Sequence, residues 1–516
     1  MKFLPLGLLA LISSFCIYSC SKKGGDQPSP PQNQLSADKT SITLKVEGGN
    51  ESFNISSNTD WELSGLPSWI RATPTKGSSG TTKVDLVYDA NTSANELKTT
   101  ITLRATGLDP VTVAVTQLQP EVTITSFTEH GKGGGQLVIT GTGFSEVLAE
   151  NIVKVNELQG TVTAASKTSL TVTIPAKAGD GKINVKTNTR TQTSTTDFYY
   201  DWVGVVSTFN YSPASYALPS DIVFDSKGNM FISDRQMAQI FKVGSDGVVR
   251  VFAGSGLPGM DDGAATVATF GSPQSMAIDA NDNIFVVDYS NACIRKITPG
   301  GTVSRIAGHN TRFGTVDGDI SVASFQNPEG IAVDKNGVIY VSEYYAAKIR
   351  KIEGNTVSTF AGSGVSGDQD GTGTAAQFNI PQGLRLDADG NILLAATYNN
   401  KIKKITPAGV VTTVAGSLDG FVDGASAQAK FWFPRGIGTD SKGNIAVADR
   451  GNFSIRYISK KGWVSTLGGI NTDAGFVDGT GSASRFCLPE NVNIAPNGDV
   501  WVVDGCEGKI RKIVLQ

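Results

Sequence analysis

The chain has 516 residues, of which 39% are hydrophobic and 18% are charged. This composition excludes an intrinsically disordered chain, and the length predicts about three or four domains. The formal net charge is −3 and no long run of lysine or arginine occurs, so we expect no nucleic-acid partner.

The first twenty residues differ from the rest of the chain. Met1-Lys2 is a short positive start, and the mostly apolar run 3–17 follows it. The run is shorter than the roughly 20 apolar residues of a membrane-spanning helix and is typical of a secretory signal. Residues 1–20, which end in Ser19-Cys20, resemble a bacterial lipoprotein signal peptide. That resemblance implies lipidation of Cys20; an ordinary secreted protein cleaved nearby is the alternative.

Residues 21–34 are rich in Pro, Gln, Gly and Ser and predict a flexible linker. Residues 35–118 then alternate apolar and polar side chains in short runs, which predicts a small β-sandwich. This segment resembles the BACON domain, an immunoglobulin-like module of Bacteroidetes envelope proteins. The resemblance rests on Trp61, Trp69, Pro74, Gly77, Gly80 and the closing run 113–117. We expect both tryptophans to pack in the core rather than to bind sugar.

Residues 120–199 form a second short β-unit. The run 135–144 resembles the opening hairpin of an IPT/TIG immunoglobulin-like domain, and the runs 168–175 and 182–186 continue that pattern. We expect Phe144 to fill the core of this unit. Such domains usually act as spacers, and no binding site is predicted here.

A pattern of four short strands recurs six times after Asp201. Each copy begins at a proline, and successive prolines are 54, 55, 53, 53 and 55 residues apart. These prolines are Pro219, Pro273, Pro328, Pro381, Pro434 and Pro489. Repeats of this length with four antiparallel strands predict a β-propeller.

The last copy ends after its third strand, and the run 204–209 has the sequence of the missing fourth strand. The fold prediction is therefore an all-β chain in which two N-terminal immunoglobulin-like β-sandwich domains precede a six-bladed β-propeller. The propeller comprises residues 201–516 and is closed by its N-terminal strand. The repeats resemble the NHL family, most clearly in the runs 328–334, 336–343 and 348–352.

The sequence assigns no catalytic residue, metal ligand or cofactor. The chain has two histidines, His130 and His309, and neither is placed to complete a Ser/His/Asp arrangement. Recurring Asp-Gly pairs predict structural turns. Carboxylates that end the second strands should bond turn amides. Cys487 and Cys506 fall in the last repeat and are able to pair.

Two further recurring positions predict a ligand-binding mouth at one end of the propeller channel. The residues after the second strands are Arg235, Tyr289, Tyr344, Tyr398, Arg450 and Gly505, and those after the repeat prolines are Ser220, Gln274, Glu329, Gln382, Arg435 and Glu490. Trp432 lies beside Pro434 and is a further candidate. Aromatic faces with amide, carboxylate and guanidinium groups suit a sugar; a polar rim without a ligand is the alternative.

The combination of modules resembles surface glycan-binding lipoproteins of polysaccharide-uptake systems. The resemblance implies an outer-membrane lipoprotein at the cell surface, anchored through its N-terminal lipid. It further implies non-catalytic capture of a polysaccharide or oligosaccharide, with outer-membrane transporter proteins as candidate partners. The alternatives are a protein-binding scaffold of the envelope and a carboxylate- or metal-dependent hydrolase or lyase.

Overall fold

The computed structural model describes residues 33–516 except Ser215, Asn310 and Arg312. The predicted signal peptide, the predicted lipidation site Cys20 and most of the predicted linker lie outside the described residues. None of the helices in the described part of the chain is long and apolar enough to span a membrane. The chain divides into two compact units after Pro120, and almost all of its regular structure is strand.

The first unit is a sandwich of two sheets. One sheet contains, in spatial order, Leu35–Ala37, Gly49–Ser57, Gly80–Tyr88 and Ile70–Thr73, and the other contains Ser41–Leu44, Val111–Gln117, Leu97–Ala105, Trp61–Ser64 and Lys76–Gly77. Alternate residues of these strands are buried, as period-two sequences predict. Trp61 is 2% exposed in the core, and Trp69 packs against the same core.

The second unit begins with another two-sheet sandwich. Its sheets contain Thr123–Phe127, Gln136–Thr142, Ser169–Thr173 and Thr161–Ala165, and His130–Gly131, Arg190–Tyr200, Gly181–Thr187, Asn151–Val155 and Leu158–Gln159. Phe144 is buried in the core between them. Gly141 and Gly143 approach the backbone of the preceding strand so closely that a Cβ atom would clash with carbonyl oxygens, which explains the glycines of this hairpin.

Six sheets, numbered 1 to 6 here in the order of their prolines, make up the rest of the second unit. Sheets 1 and 2 contain Pro219–Phe224, Met230–Asp234, Gln239–Val243 and Val249–Ala253, and Pro273–Ile278, Ile284–Asp288, Cys293–Ile297 and Val303–Gly308. Sheets 3 and 4 contain Pro328–Val333, Ile339–Glu343, Lys348–Glu353, Thr356–Ala361 and Gly318–Asp319, and Pro381–Leu386, Ile392–Ala396, Lys401–Ile405, Val410–Ala415 and Gly371–Thr372. Sheet 5 contains Pro434–Thr439, Ile445–Asp449, Ser454–Ile458, Trp463–Gly469 and Gly424–Ala425.

Sheet 6 combines strands from both ends of this region. It contains Pro489–Ile494, Val500–Asp504, Lys509–Leu515, Gly204–Phe209 and Gly479–Thr480. Gly204–Phe209 pairs antiparallel with Lys509–Leu515 over six residues. The first strand of each sheet contacts the first strand of the next, and that of sheet 6 contacts that of sheet 1, which gives a propeller-like arrangement about a central channel. The short 3-10 helices are Leu148–Glu150, Tyr289–Asn291, Gly373–Ala375, Thr397–Asn399 and Arg450–Asn452.

A buried cation occupies the third strand of sheets 2 to 6. These residues are Arg295, Arg350, Lys403, Arg456 and Arg511, each at most 1% exposed. In sheet 3, the Arg350 guanidinium donates to Glu343 at 3.1 Å and to the carbonyl oxygen of Val316 at 3.0 Å, and it also pairs with Asp317. The Asp-Gly pairs are thus structural, but their main partner is a cation that the sequence pattern did not predict.

The IPT/TIG-like sandwich contacts sheet 5 at the turn between the third and fourth strands of that sheet. The indole of Trp463 stacks on Tyr199 with ring centroids 4.7 Å apart and donates to Asp201 at 2.9 Å. Lys461 forms an ion pair with Asp197 at 2.7 Å. A buried aromatic contact with charged pairs around it fixes this sandwich to the sheet.

The substitution Arg350→Met tests the importance of the buried cation. It leaves the fully buried Glu343 without its cation, so we expect a loss of about 3–5 kcal/mol in the free energy of unfolding, measured by chemical denaturation. Lys351→Met, at the neighbouring half-exposed position, is the matched control and should cost less than about 1 kcal/mol. Equal effects of the two substitutions would contradict the assignment.

Candidate functional site

The residues that follow the six prolines meet at one end of the channel. All first strands run in the same direction, so equivalent positions lie at the same depth along the channel. Ser220, Gln274, Glu329, Gln382, Arg435 and Glu490 line one common cavity together with Arg235. The structure therefore brings together one complete series of the predicted mouth residues.

A hydrogen-bond network closes this layer. Oε1 of Glu329 accepts from Nε2 of Gln274 at 2.8 Å and from Nε2 of Gln382 at 3.2 Å. The same oxygen accepts from Nη2 of Arg435 at 2.7 Å, and Arg435 also pairs with Glu490. Glu329 and Gln382 are each 6% exposed. These side chains form a polar floor whose donors and acceptors serve one another.

The cavity between the floor residues is small. Its volume is about 20 Å³, which is enough for about one water molecule and far below the 300–1,000 Å³ or so of an ordinary ligand pocket. A sugar ring therefore cannot enter the channel from this end. Any ligand must lie on top of the floor, against the residues that surround it.

Aromatic side chains surround part of the floor. Tyr398 is 51% exposed and packs on Phe433 at 4.8 Å, and Phe433 stacks with Trp432 at 5.7 Å. Tyr344 is half-buried and packs edge to face against Tyr345 at 4.5 Å. We call these five residues the aromatic rim. Exposed ring faces beside polar groups can stack on the C–H face of a sugar.

Electrostatics place Tyr344 close to the floor. Burial raises the pKa of Tyr344, and the phenols of Tyr345 and Tyr398 and the carboxylate of Glu329 act in the same direction. Tyr344 of sheet 3 and Tyr398 of sheet 4 are therefore near one another, and Phe433 and Trp432, from the loop that enters sheet 5, extend the rim beyond Tyr398. Tyr289 has a different environment because its hydroxyl accepts from Nδ2 of Asn327 at 2.8 Å.

Two rim residues were not among the sequence candidates. Tyr345 is 66% exposed. The sequence could have indicated it as a mouth residue because it follows Tyr344 directly. Phe433, with a positive φ of 50°, lies between Trp432 and Pro434 and joins Trp432 to Tyr398. The backbone turn at Phe433, which the sequence does not specify, brings these rings together.

Arg235 on sheet 1 and Arg450 on sheet 5 continue the ring of mouth residues, and the phenols of Tyr344 and Tyr398 are near enough to act on the pKa of Arg450. Arg450 donates from Nε to Glu490 at 3.4 Å. Burial lowers the pKa of Arg235, and the nearby guanidinium of Arg435 adds to the effect. Burial and the guanidinium of Arg435 likewise lower the pKa of Arg450. These positive groups thus repel one another at the mouth.

The carboxylates that end the second strands are buried rather than exposed at the mouth. Asp288 accepts from the backbone N–H groups of Gly271 and Ser272 at 2.8–3.1 Å. Burial raises the pKa of Asp449 to about 6, although Arg456 opposes this shift. No group of three or more His, Cys, Asp or Glu residues in the described part of the chain is arranged to hold a metal ion.

A disulfide joins the two mouth loops of sheet 6. The sequence left the pairing of Cys487 and Cys506 open, and the structure shows them bonded. The bond links the loop before Pro489 to the loop after Asp504, next to the floor residue Glu490. Cys293 is a buried free thiol, and burial raises its pKa to about 12.

An ion pair crosses the channel below the floor. Arg385 of sheet 4 donates from Nη2 to both carboxylate oxygens of Asp221 in sheet 1, at 2.7 and 3.0 Å. The equivalents of Arg385 in the other first strands are Val223, Ala277, Ala332, Gly438 and Asn493. Because most of these side chains are small, a single long arginine fits across the axis. Beyond it, a cavity of about 550 Å³ opens at the opposite end of the channel.

Comparison with known proteins identifies two segments. Residues 122–200 match the model of the IPT/TIG domain, and residues 431–456 match the model of the NHL repeat. Among curated proteins, the chain is 26% identical over 344 residues to NHL repeat-containing protein 2 of Bos taurus, covering 59% of this chain and 47% of that protein. It is also 26% identical over 271 residues to the chloroplastic protein Suppressor of Quenching 1 of Arabidopsis thaliana, covering 48% and 26%. The chain thus spans between a quarter and a half of these relatives.

Solved structures with a similar arrangement come from Bacteroides. A structural genomics protein of Bacteroides thetaiotaomicron superposes with a TM-score of 0.48 at 19% identity, covering 77% of this chain and 98% of that chain. An auxiliary nutrient binding protein of Bacteroides ovatus superposes with a TM-score of 0.45 at 18% identity and the same coverage.

A double-mutant cycle tests the ion pair across the channel. We expect Asp221→Asn and Arg385→Met each to lower the free energy of unfolding by about 3–5 kcal/mol, because each leaves a buried charge or donor without its partner. The double variant should lose clearly less than the sum of the single losses, as thermal or chemical unfolding will show. Strictly additive losses would contradict a direct interaction.

Proposed function

We propose that this protein is a lipid-anchored protein of the cell envelope that captures a polysaccharide or oligosaccharide without cleaving it. The aromatic rim above the polar floor would bind the glycan. The observation that carries this proposal is the exposure of adjacent aromatic side chains beside polar groups at a channel end that is too narrow for entry. Such a surface suits a ligand that lies across it, as a segment of a polymer does.

The proposed architecture is a six-bladed propeller over residues 201–516 that is closed by its N-terminal strand. The pairing of Gly204–Phe209 with Lys509–Leu515 supports this closure. Ahead of the propeller we propose an IPT/TIG spacer over residues 120–199 and a BACON-like domain over residues 35–118. Residues 1–20 would direct export and residues 21–34 would act as a linker, so that Cys20 carries the lipid at the outer membrane of the cell surface.

The expected affinity is low for a single sugar unit. Three stacked aromatic rings at roughly 1 kcal/mol each, and a few net hydrogen bonds at about 1 kcal/mol each, give about 5–6 kcal/mol before ordering costs. These costs bring the dissociation constant into the high-micromolar to millimolar range. Repeated contacts along a polymer compensate for weak individual sites, and outer-membrane transporter proteins are the partners to which we propose that it delivers glycan.

A protein-binding scaffold is the second candidate. Loops that connect successive sheets at the mouth end expose an apolar side chain in four cases. These are Leu257, Phe313, Val365 and Leu418, which are 61–71% exposed. Apolar side chains at the tips of successive loops would offer area for burial against a protein partner, and the experiment below separates the two functions.

The triple substitution of Tyr344, Tyr398 and Trp432 by alanine tests glycan capture. We expect at least one polysaccharide of a broad panel to retard the unmodified protein in affinity electrophoresis, and the triple variant to lose this retardation because the stacking surface is gone. A triple alanine variant of Val147, Leu148 and Leu158, which are 44–56% exposed in the IPT/TIG-like sandwich, is the control and should be retarded normally.

Two outcomes would contradict glycan capture. One is that no polysaccharide retards the unmodified protein; the other is that the rim variant, with an unchanged melting temperature, is retarded as strongly. If the rim variant still pulls down an envelope protein that the unmodified protein also binds, and neither binds a glycan, the scaffold function replaces it.

Membrane attachment is tested separately by Cys20→Ala. We expect the full-length protein to sediment with membranes and the variant to appear in the soluble fraction, because acyl chains contribute about 0.8 kcal/mol per buried methylene group. Protease treatment of intact cells shows whether the anchored protein faces outwards. Sedimentation of the variant with membranes would contradict anchoring through Cys20.

A further inference from the structure

Three arginines lie at the mouth, and the structure uses them differently. Arg435 is fully engaged because it pairs with both Glu329 and Glu490. Arg450 contacts Glu490 only through Nε, at 3.4 Å, so its terminal nitrogens form no ion pair or hydrogen bond with the described residues. The guanidinium of Arg235 likewise has no such partner among the residues whose structure is described, although the charges of Glu329 and Asp234 act on it from a distance.

The positions of Arg235 and Arg450 leave space between them. They occupy the same repeat position in sheets 1 and 5, and sheet 6, which lies between these sheets, has Gly505 there. Gly505 is packed so closely against Glu490 that a Cβ atom would lie 2.6 Å from Cγ of that glutamate. Sheet 6 therefore contributes no side chain at this position between the two arginines, whereas the aromatic rim comes from sheets 3 and 4 and from the loop that enters sheet 5.

Electrostatics make this part of the mouth a site for negative charge. Arg435 is neutralised by direct ion pairs with Glu329 and Glu490. Arg450 has one contact, from Nε to Glu490, and only distant carboxylates act on Arg235. Partial burial and mutual repulsion lower the pKa of Arg235 and of Arg450, so keeping these two guanidinium groups charged costs free energy. An anion that accepts hydrogen bonds from both guanidinium groups would reduce the repulsion between them and would bind the N–H groups that have no partner.

We propose that the mouth recognises a glycan that carries an anionic substituent, either the carboxylate of a uronic acid or a sulfate ester. Arg235 and Arg450 bind the anion over Gly505, and the aromatic rim stacks on another sugar of the same chain. The inference rests on the proposed glycan capture and adds to it the chemical class of the glycan. A planar guanidinium is suited to both anions because it presents parallel N–H donors.

Matched ligand pairs test the proposal by isothermal titration calorimetry on the whole folded chain. The first pair is an oligogalacturonide and its carboxyl-reduced counterpart; the second is a dextran sulfate oligosaccharide and the unsulfated dextran. We expect the acidic member of at least one pair to bind about tenfold tighter or better. Preference in the first pair identifies a carboxylate and preference in the second a sulfate ester.

Variants show whether the preference arises at the mouth. The double variant Arg235→Gln/Arg450→Gln should lose the preference, whereas Arg250→Gln, which removes an exposed arginine from the outer strand of sheet 1, should keep it. If the double variant keeps the preference, or if neutral and acidic members bind equally, the anionic class is overturned and glycan capture stands. If neither pair binds, the anionic class is overturned; if in addition no polysaccharide of the broad panel retards the protein, glycan capture itself fails.

Discussion

The architecture of the mouth depends on one buried interaction, which is made by the carboxylate that ends the second strand of a sheet. In sheet 2, Asp288 accepts from the backbone of the loop that enters the sheet, and the guanidinium of Arg295 lies 3.5 Å from it. The next residue in the chain is Tyr289, at the mouth. A charge that is completely buried thus fixes the backbone from which a mouth residue projects.

The two sheets that lack this pairing have substitutes within the same repeat. In sheet 4, Ala396 takes the position of the carboxylate, since it pairs with the repeat proline as Asp288 does in sheet 2. Lys403 replaces the arginine and pairs with Asp368 and Asp370 instead. In sheet 1, Phe241 replaces the arginine, and Asp234 accepts a hydrogen bond from the Tyr211 hydroxyl at 2.8 Å. Where either the carboxylate or the arginine is missing, the other group is therefore replaced or finds a different partner. This is expected because a buried charge without a partner is costly.

Much of this fold is predictable from the sequence because its signals are local and repeat. Prolines at near-constant spacing predicted the first strand of every sheet, and each first strand begins at its proline. The buried arginines were missed because a charged residue in an Ile-Arg-Lys-Ile run normally suggests an exposed face. Such an arginine can be buried only because carboxylates lie next to it in the folded protein, and these are up to 33 residues away in the sequence.

The sequence predicted that the residues after the prolines lie at one end of the channel, but not their depth. It also placed Tyr398 at the repeat position of Tyr289 and Tyr344, whereas strand pairing puts Thr397 there. A register shift after each proline, for example between Pro328 and Ile331, interrupts the alternation along the first strand. The side chain of Glu329 consequently lies in the floor, where side chains from three other sheets bond to it. The exposed rim comes from residues after the second strands and from Trp432, before a first strand. Bulges and contacts between sheets determine how deeply a side chain lies below the surface of the mouth, and period-two sequence patterns do not predict either of them.

The attachment of the IPT/TIG-like sandwich through Trp463 has a further consequence. The turn that carries Trp463 joins the third and fourth strands, and antiparallel pairing places such turns at the end of the sheet opposite the mouth. The sandwich therefore occupies the far end of sheet 5 and leaves the approach to the tyrosines and arginines clear. For the polymeric glycan that we propose as ligand, a clear approach would let an internal segment lie across the mouth, so that capture would not require a free chain end.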